Sequence, residues 1–141
     1  MKRSKERLIV VSNRLPYVFA RTPDGGWKTE GGSGGLVSAL VPVLRDRGGT
    51  WIGWPGTSEN GEGLSEALLA SSRKLGITLR GVQLDAADVD NFYHGFSNEI
   101  IWPLFHDFAS LCRFEAKYWN SYKEVNRRFA GAVVEECGKA D

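Results

Sequence analysis

Five residues, Gly31-Gly32-Ser33-Gly34-Gly35, stand directly before an apolar segment with helical spacing. Glycine lets backbone N–H groups approach an anion closely, and the positive end of the following helix favours a phosphate there. The same composition also suits a flexible loop. Neither common nucleotide fingerprint is met. A GxGxxG motif begun at Gly32 would need glycine where Val37 stands, and GxxxxGK[ST] occurs nowhere. Arg14 closes the polar triplet Ser12-Asn13-Arg14, where a guanidinium can grip a phosphate through two parallel hydrogen bonds. Its alternative is a solvated arginine in an ion pair. Tyr93 and Trp102, nine residues apart, offer aromatic faces with polar edges that suit a sugar ring, although large aromatics also fill cores. His94 and His106 are of the residue type that serves acid–base chemistry, but no carboxylate or nucleophile stands at a telling spacing, so both read as capping or packing groups.

The elements that must position these groups are readable from periodicity. Leu8-Ile9-Val10-Val11 is a continuous aliphatic run, expected as a strand of a parallel sheet buried on both faces. Ligands of open α/β sheets sit beyond the carboxyl ends of strands, which is where Ser12-Asn13-Arg14 falls. Residues 17–20 and 27–30 flank Thr22-Pro23-Asp24-Gly25-Gly26, the turn chemistry of a hairpin, so a β-hairpin excursion at about 17–30 separates the first strand from its helix. Apolar residues at 36, 37, 40, 41 and 44 predict a helix over 35–46, with Pro42 in conflict and Gly48-Gly49 as its stop. Thr50 to Trp54 reads as a second strand, Leu64 to Leu75 as a helix stopped by Gly76, and Ile77 to Leu84 as a third strand with a bulge at Gly81. Asp85 with Asp88 predicts a capped short helix toward Phe92, and Ser97-Asn98 and Pro103 predict further helix starts. Trp119, Tyr122, Val125, Phe129, Val133 and Cys137 form the clearest amphipathic stripe. The order is that of an α/β fold with a largely parallel sheet flanked by helices. Three core strands make a small sheet, and no fourth strand receives the closing helix, so a part of a larger fold is expected.

Composition sets outer limits. The chain has 141 residues, 42% of them hydrophobic, enough for one core without a metal or disulfide staple. Eighteen basic residues against seventeen acids leave a formal charge of +1, which disfavours nucleic acid and anionic membranes as main partners. No apolar run reaches the roughly 18–20 residues of a membrane span, and the start lacks a secretory signal. Cys112 and Cys137 are far apart with no ligand spacing, which fits unpaired thiols in a reducing cytoplasm and no zinc.

Taken together, four motifs carry a resemblance. Val10-Val11-Ser12-Asn13-Arg14-Leu15-Pro16, the Gly-Gly-Ser-Gly-Gly-Leu loop, Trp51-Ile52-Gly53-Trp54-Pro55-Gly56, and Phe92-Tyr93-His94-Gly95-Phe96-Ser97-Asn98 followed by Trp102-Pro103-Leu104-Phe105-His106 occur in that order. Over about residues 7 to 130 the chain resembles the start of the trehalose-phosphate synthases, retaining glycosyltransferases of the GT-B fold. The resemblance implies a Rossmann-like, acceptor-side N-terminal domain, incomplete over 1–141, with the C-terminal donor-binding domain absent. It implies transfer of glucose from UDP-glucose to glucose 6-phosphate, giving trehalose 6-phosphate and UDP, without cofactor or metal. Arg14 matches the arginine that contacts the acceptor phosphate, Tyr93 and Trp102 match aromatic acceptor contacts, and Gly34 and Gly35 match the loop against the UDP-glucose diphosphate.

The resemblance also marks what these residues lack. The family's His-Asp-Tyr-His and His-Ile-Pro-Phe-Pro segments, and the Arg and Lys that hold the donor phosphates, have no counterpart among them. No catalytic residue is therefore assigned, and the 141 residues alone are expected not to turn over. Three other readings stand beside this one: a related GT-B enzyme using glycerol phosphate, a cyclitol phosphate or another phosphorylated acceptor; a noncatalytic module of a synthase complex; and a dinucleotide-binding domain. An exposed apolar surface would favour a homo-oligomer or association with longer synthase subunits.

Overall fold

The computed structural model describes residues 7–32 and 34–139. Two compact units emerge: the described residues up to Gln83 together with those from Ala132 onward, and residues Leu84–Gly131. No helix among the described residues is long and apolar enough to cross a membrane.

The first unit is built on a three-stranded parallel sheet. Its strands are β1 (Ile9–Arg14), β4 (Thr50–Trp54) and β5 (Thr78–Gly81), in the order β1-β4-β5. β4, flanked on both sides, is buried at all five residues. β1 was expected to be buried on both faces and instead is half-buried, with Val11 46% exposed, because it forms an edge of this sheet. The strand also runs on through Ser12-Asn13-Arg14 rather than ending before them. β5 is shorter than the predicted 77–84. Beyond Gly81 one further bond, Val82 N–H to the Gly53 carbonyl at 2.9 Å, continues the pairing, since Pro55 has no N–H with which to extend the ladder.

The excursion is an antiparallel hairpin of β2 (Tyr17–Arg21) and β3 (Trp27–Gly31), in register from Tyr17 opposite Gly31 to Arg21 opposite Trp27. Helix α1 (Gly35–Arg47) continues through Pro42, which forfeits one bond to the Ser38 carbonyl without ending the helix. Helix α2 spans Leu64–Leu75 as predicted, and both helices stop on left-handed glycines, Gly48 and Gly76, each with φ 71°. The core of this unit gathers Leu15, Phe19, Val41, Leu44, Trp51, Leu64, Ile77 and Leu79, one or more from nearly every element. Burying each such side chain contributes about 1.5–3 kcal/mol before entropic costs.

The second unit is helical. Asp85 and Asp88 form a reciprocal capping box, each carboxylate accepting the other's backbone N–H, which starts α3 (Ala86–Asp88). The backbone then passes into a π-helix over Val89–Ile101, which leads directly into α4 (Trp102–Phe105). Ser97-Asn98 was expected to open a helix. It lies inside the π-helix instead, because the Ser97 hydroxyl bonds back to the Phe92 carbonyl at 2.9 Å and does not cap a new start. Pro103 does sit in the first turn of α4. A 3₁₀ turn, Ala109–Leu111, precedes α5 (Ala116–Gly138).

The stripe on α5 departs from the pattern read in sequence. Val125, Phe129, Ala132 and Glu136 are buried, whereas Val133 is half-buried, Trp119 is 49% exposed and Cys137 is exposed. Apolar residues spaced by four drift around a helix of about 3.6 residues per turn, so the buried line steps back by one at its C-terminal end. Glu136 accepts that burial because Arg7 at 2.8 Å and Lys139 at 2.5 Å neutralise it.

Candidate functional site

Arg14 ends β1, directly opposite Trp54 of β4. Between Val11 and Arg14 the pairing slips, a bulge that re-aims the end of the strand. Two features hold the bulge. The Ser12 hydroxyl accepts a hydrogen bond from Nε1 of buried Trp51 at 2.8 Å and donates to the Arg14 carbonyl at 2.6 Å. Gly53 admits the displaced backbone, since a Cβ there would lie 2.6 Å from the Arg14 carbonyl carbon and from the Leu15 nitrogen. Pairing resumes at once, with Leu15 N–H on the Trp54 carbonyl at 2.9 Å.

The Arg14 guanidinium therefore leaves the sheet at a fixed place. It is exposed and lies 5.2 Å from the centre of the Trp54 ring, a cation–π contact worth about 0.5–1 kcal/mol at such a site. Among the described residues it has no carboxylate partner, which removes the ion-pair alternative and leaves a charge with capacity for an anion. The neighbouring Asn13 Oδ1 is buried without a hydrogen-bond partner among the same residues.

The glycine loop belongs to the same unit. Gly32 N–H bonds the Pro16 carbonyl at 2.8 Å, tying the loop to the chain just after β1. Ser33 lies outside the described residues. Gly34 caps α1 in an extended conformation, its carbonyl accepting from Val37 and Ser38, and among the described residues no side chain caps the helix. A Cβ on Gly34 or Gly35 would meet nothing within 4 Å, so close packing is not what places glycine here. The N–H groups of Gly35 and Leu36 precede the first bond of the helix, which Val37 makes to the Gly34 carbonyl, and the absence of side chains on Gly34 and Gly35 leaves them open to approach. A depression of about 300 Å³ beside the loop, lined by Pro16, Tyr17, Gly32, Val37, Val41 and Pro42, is apolar and lacks a cation, so it offers a phosphate nothing.

Tyr93 and Trp102 belong to the second unit, on the π-helix and at its exit. A helix closing i→i+5 bonds turns once in roughly 4.4 residues, so nine residues make about two turns. On an ideal π-helix positions 93 and 102 therefore share a face. In an α-helix, at 100° per residue, they would fall on opposite faces. Tyr93 is half-buried, its ring edge-on to His94 at 5.2 Å. Trp102 is 50% exposed and stacks on His106, with ring centres 4.1 Å apart and 15° between planes. His106 Nδ1, 2.7 Å from the Trp102 carbonyl, must carry the proton there. His106 thus packs against Trp102. Arg14, Gly34 and Gly35 share one unit, and Tyr93 and Trp102 share the other.

Several supporting residues escaped the sequence reading. Ser12 and Gly53 stood inside quoted motifs without a role, and Gly95 and Tyr118 had none. The single available signal was glycine between large aromatics, as in Trp51-Ile52-Gly53-Trp54 and Phe92-Tyr93-His94-Gly95-Phe96. Among the described residues no cluster of three or more His, Cys, Asp or Glu can hold a metal.

Comparison with known proteins places this geometry in a family. The model for glycosyltransferase family 20 matches residues 6–141. Trehalose-6-phosphate synthases of Mycolicibacterium gilvum and Mycolicibacterium smegmatis are 45% identical over 131 residues and 44% identical over 126. These matches cover 93% and 89% of this chain, but 26% and 24% of the relatives. Among solved structures, the trehalose-6-phosphate synthase from E. coli bound with UDP-2-fluoro glucose superposes with TM-score 0.64 at 29% identity, over 92% of this chain and 25% of that one. An α,α-trehalose-phosphate synthase (UDP-forming) from Burkholderia xenovorans in complex with glucose-6-phosphate gives TM-score 0.61 at 29% identity, with the same shares. The chain thus spans about a quarter of the length of the proteins it matches. The parallel sheet with flanking helices is that of the N-terminal portion of their GT-B fold. The chain belongs to glycosyltransferase family 20.

Proposed function

We propose that these residues form the acceptor-side part of a UDP-forming trehalose-phosphate synthase. The reaction moves glucose from UDP-glucose to glucose 6-phosphate with retention at the anomeric carbon, giving trehalose 6-phosphate and UDP. Arg14 binds the acceptor phosphate, Tyr93 and Trp102 hold its hexose ring, and the backbone at Gly34 and Gly35 faces the donor diphosphate. The observation that carries the reading is Arg14: an exposed guanidinium with no carboxylate partner among the described residues, fixed by a bulge at the carboxyl end of a parallel strand, in the first of four ordered family motifs. Relatives at 45% identity bear the synthase name, and similar structures hold a UDP-glucose analogue and glucose-6-phosphate.

In this reading the residues act by positioning and electrostatics. The guanidinium places the acceptor through charge-assisted bonds, and the aromatic faces orient its ring. Backbone N–H groups at the head of α1 meet the charge that grows on the departing diphosphate. The donor-phosphate Arg and Lys of the family have no counterpart among the 141 residues, so this polypeptide alone binds the acceptor without turnover. It works in the cytoplasm, as an oligomer or beside longer synthase subunits. Calorimetric titration of glucose 6-phosphate into the wild type and Arg14→Ala tests the acceptor assignment, and equal affinity would sink it. UDP release by the purified chain would overturn the claim of inactivity.

A further inference from the structure

π-helical winding brings positions 93 and 102 toward one face, and a run of this length needs support because i→i+5 turns are seldom sustained. The support visible in the structure converges on Tyr118. Its ring lies against Gly95 so closely that a Cβ at Gly95 would stand 2.5 Å from Cδ1 and 2.6 Å from Cε1. Its hydroxyl donates to Glu99 Oε2 at 2.9 Å, one turn further along the π-helix. The end of the helix is held next to it, with Arg113 N–H on the Glu99 carbonyl at 3.0 Å and the Cys112 thiol on the Ile100 carbonyl at 3.6 Å. Phe92 stacks on Tyr122 with ring centres 5.6 Å apart and Phe96 packs tilted on it at 4.3 Å, so α5 grips the apolar side of the same helix.

We propose that Tyr118 is a positioning residue for the acceptor: wedged on Gly95 and bonded to Glu99, it holds the wide-turn geometry that presents Tyr93 and Trp102 together to one sugar ring. Tyr118 does not touch the ligand. Gly95 is glycine because the ring occupies the place of its side chain. The inference rests on the acceptor reading above for its ligand, and on the backbone alone for its geometry.

The test uses the 141-residue chain with two readouts. Through-hydrogen-bond couplings between backbone nitrogen and carbonyl carbon report whether Trp102 N–H bonds the Ser97 carbonyl, the i→i+5 pairing that closes the π-helix. Calorimetry with glucose 6-phosphate reports the affinity. Gly95→Ala should abolish the 102-to-97 coupling and weaken binding about tenfold, the size of one lost aromatic contact. Tyr118→Phe keeps the wedge and loses the Glu99 bond, so it should keep the coupling and bind only about two- to fourfold more weakly, as loss of one modest hydrogen bond implies. This milder variant covers the case in which Gly95→Ala unfolds. An intact coupling with wild-type affinity in Gly95→Ala, or a loss in Tyr118→Phe equal to that of Tyr118→Ala, would overturn the proposal. If Tyr93→Ala and Trp102→Ala bind as tightly as the wild type, the acceptor reading fails instead, and the coupling still decides the clamp.

Discussion

The end of β1 and the π-helix each present ligand-type groups, but they are constructed by different means. At β1 the direction of the parallel sheet delivers Arg14 to a strand's carboxyl end, and buried neighbours in the adjacent strand, Trp51 and Gly53, set its exact exit. The π-helix is supported within its own unit. Two aromatics share a face because the helix is wound wider than usual, and one tyrosine packed on one glycine holds that winding. The first arrangement is coupled to the core and should fail together with the fold. The second is local and should fail on its own.

The hardest blow to that distinction should come from Gly53→Ala. A Cβ 2.6 Å from fixed backbone cannot be relieved by a rotamer change, so we expect a loss of about 3 kcal/mol, the upper end of overpacking costs, in urea unfolding. The loss should appear in global stability, in contrast to the local effect of Gly95→Ala. Next, Arg14→Ala should weaken glucose 6-phosphate binding by roughly 30- to 150-fold, from about 2–3 kcal/mol of charge-assisted bonding, with little change in stability because the side chain is exposed. Ser12→Ala strands the buried Trp51 Nε1 and should cost about 1–2 kcal/mol of stability. An unchanged midpoint would show that the hydroxyl relay does not hold the bulge.

The smallest effects should be in pH, and their signs are opposite in the two regions. In the first unit, a hydrogen bond from Lys139 and the charges of Lys139 and Arg7 outweigh burial and hold the Glu136 carboxyl below its ordinary value of 4.5. Its contribution is in place above that value and is lost as pH falls through the lower folded value. In the second unit, the hydrogen bond to Glu99, then burial and nearby acids, raise the Tyr118 phenol above 10.0. Its contribution is in place below that value and disappears as pH rises through the raised one. Stability followed by circular dichroism should therefore fall as the wild type is acidified below the ordinary value of the Glu136 carboxyl, and in Glu136→Gln, which lacks this titration, it should depend less steeply on pH over the same acid range. Absorbance at 295 nm should show one late-titrating tyrosine that Tyr118→Phe eliminates. Identical curves in either pair would break the contrast.

Much of the first unit was legible from residues alone. The aliphatic run before Ser12-Asn13-Arg14, the Pro-Asp-Gly turn and the stops at Gly48 and Gly76 each report a local preference that tertiary packing left intact. Misreadings arose where a neighbour decided. β1 is half-buried because it lies at an edge, and no run of valines states its place in a sheet. Ser97-Asn98 has the composition of a helix cap, yet the hydroxyl found an acceptor behind it within a continuing helix. The α5 stripe slipped because spacing by four drifts around the helix, and Glu136, polar in sequence, could take the buried place because Arg7 and Lys139 pair with it.

By itself the sequence determined the kinds of chemistry on offer: a guanidinium after a strand, a glycine loop before a helix, two aromatics nine residues apart, and four motifs in family order. Only the tertiary structure decided where those groups stand. The bulge at Arg14 depends on atoms from β4, and the shared face of Tyr93 and Trp102 depends on a ring more than twenty residues away in the chain. Local preference is written in neighbouring residues. Strand register and helix winding are settled by which distant surface gains most from the contact, and that competition has no local signature.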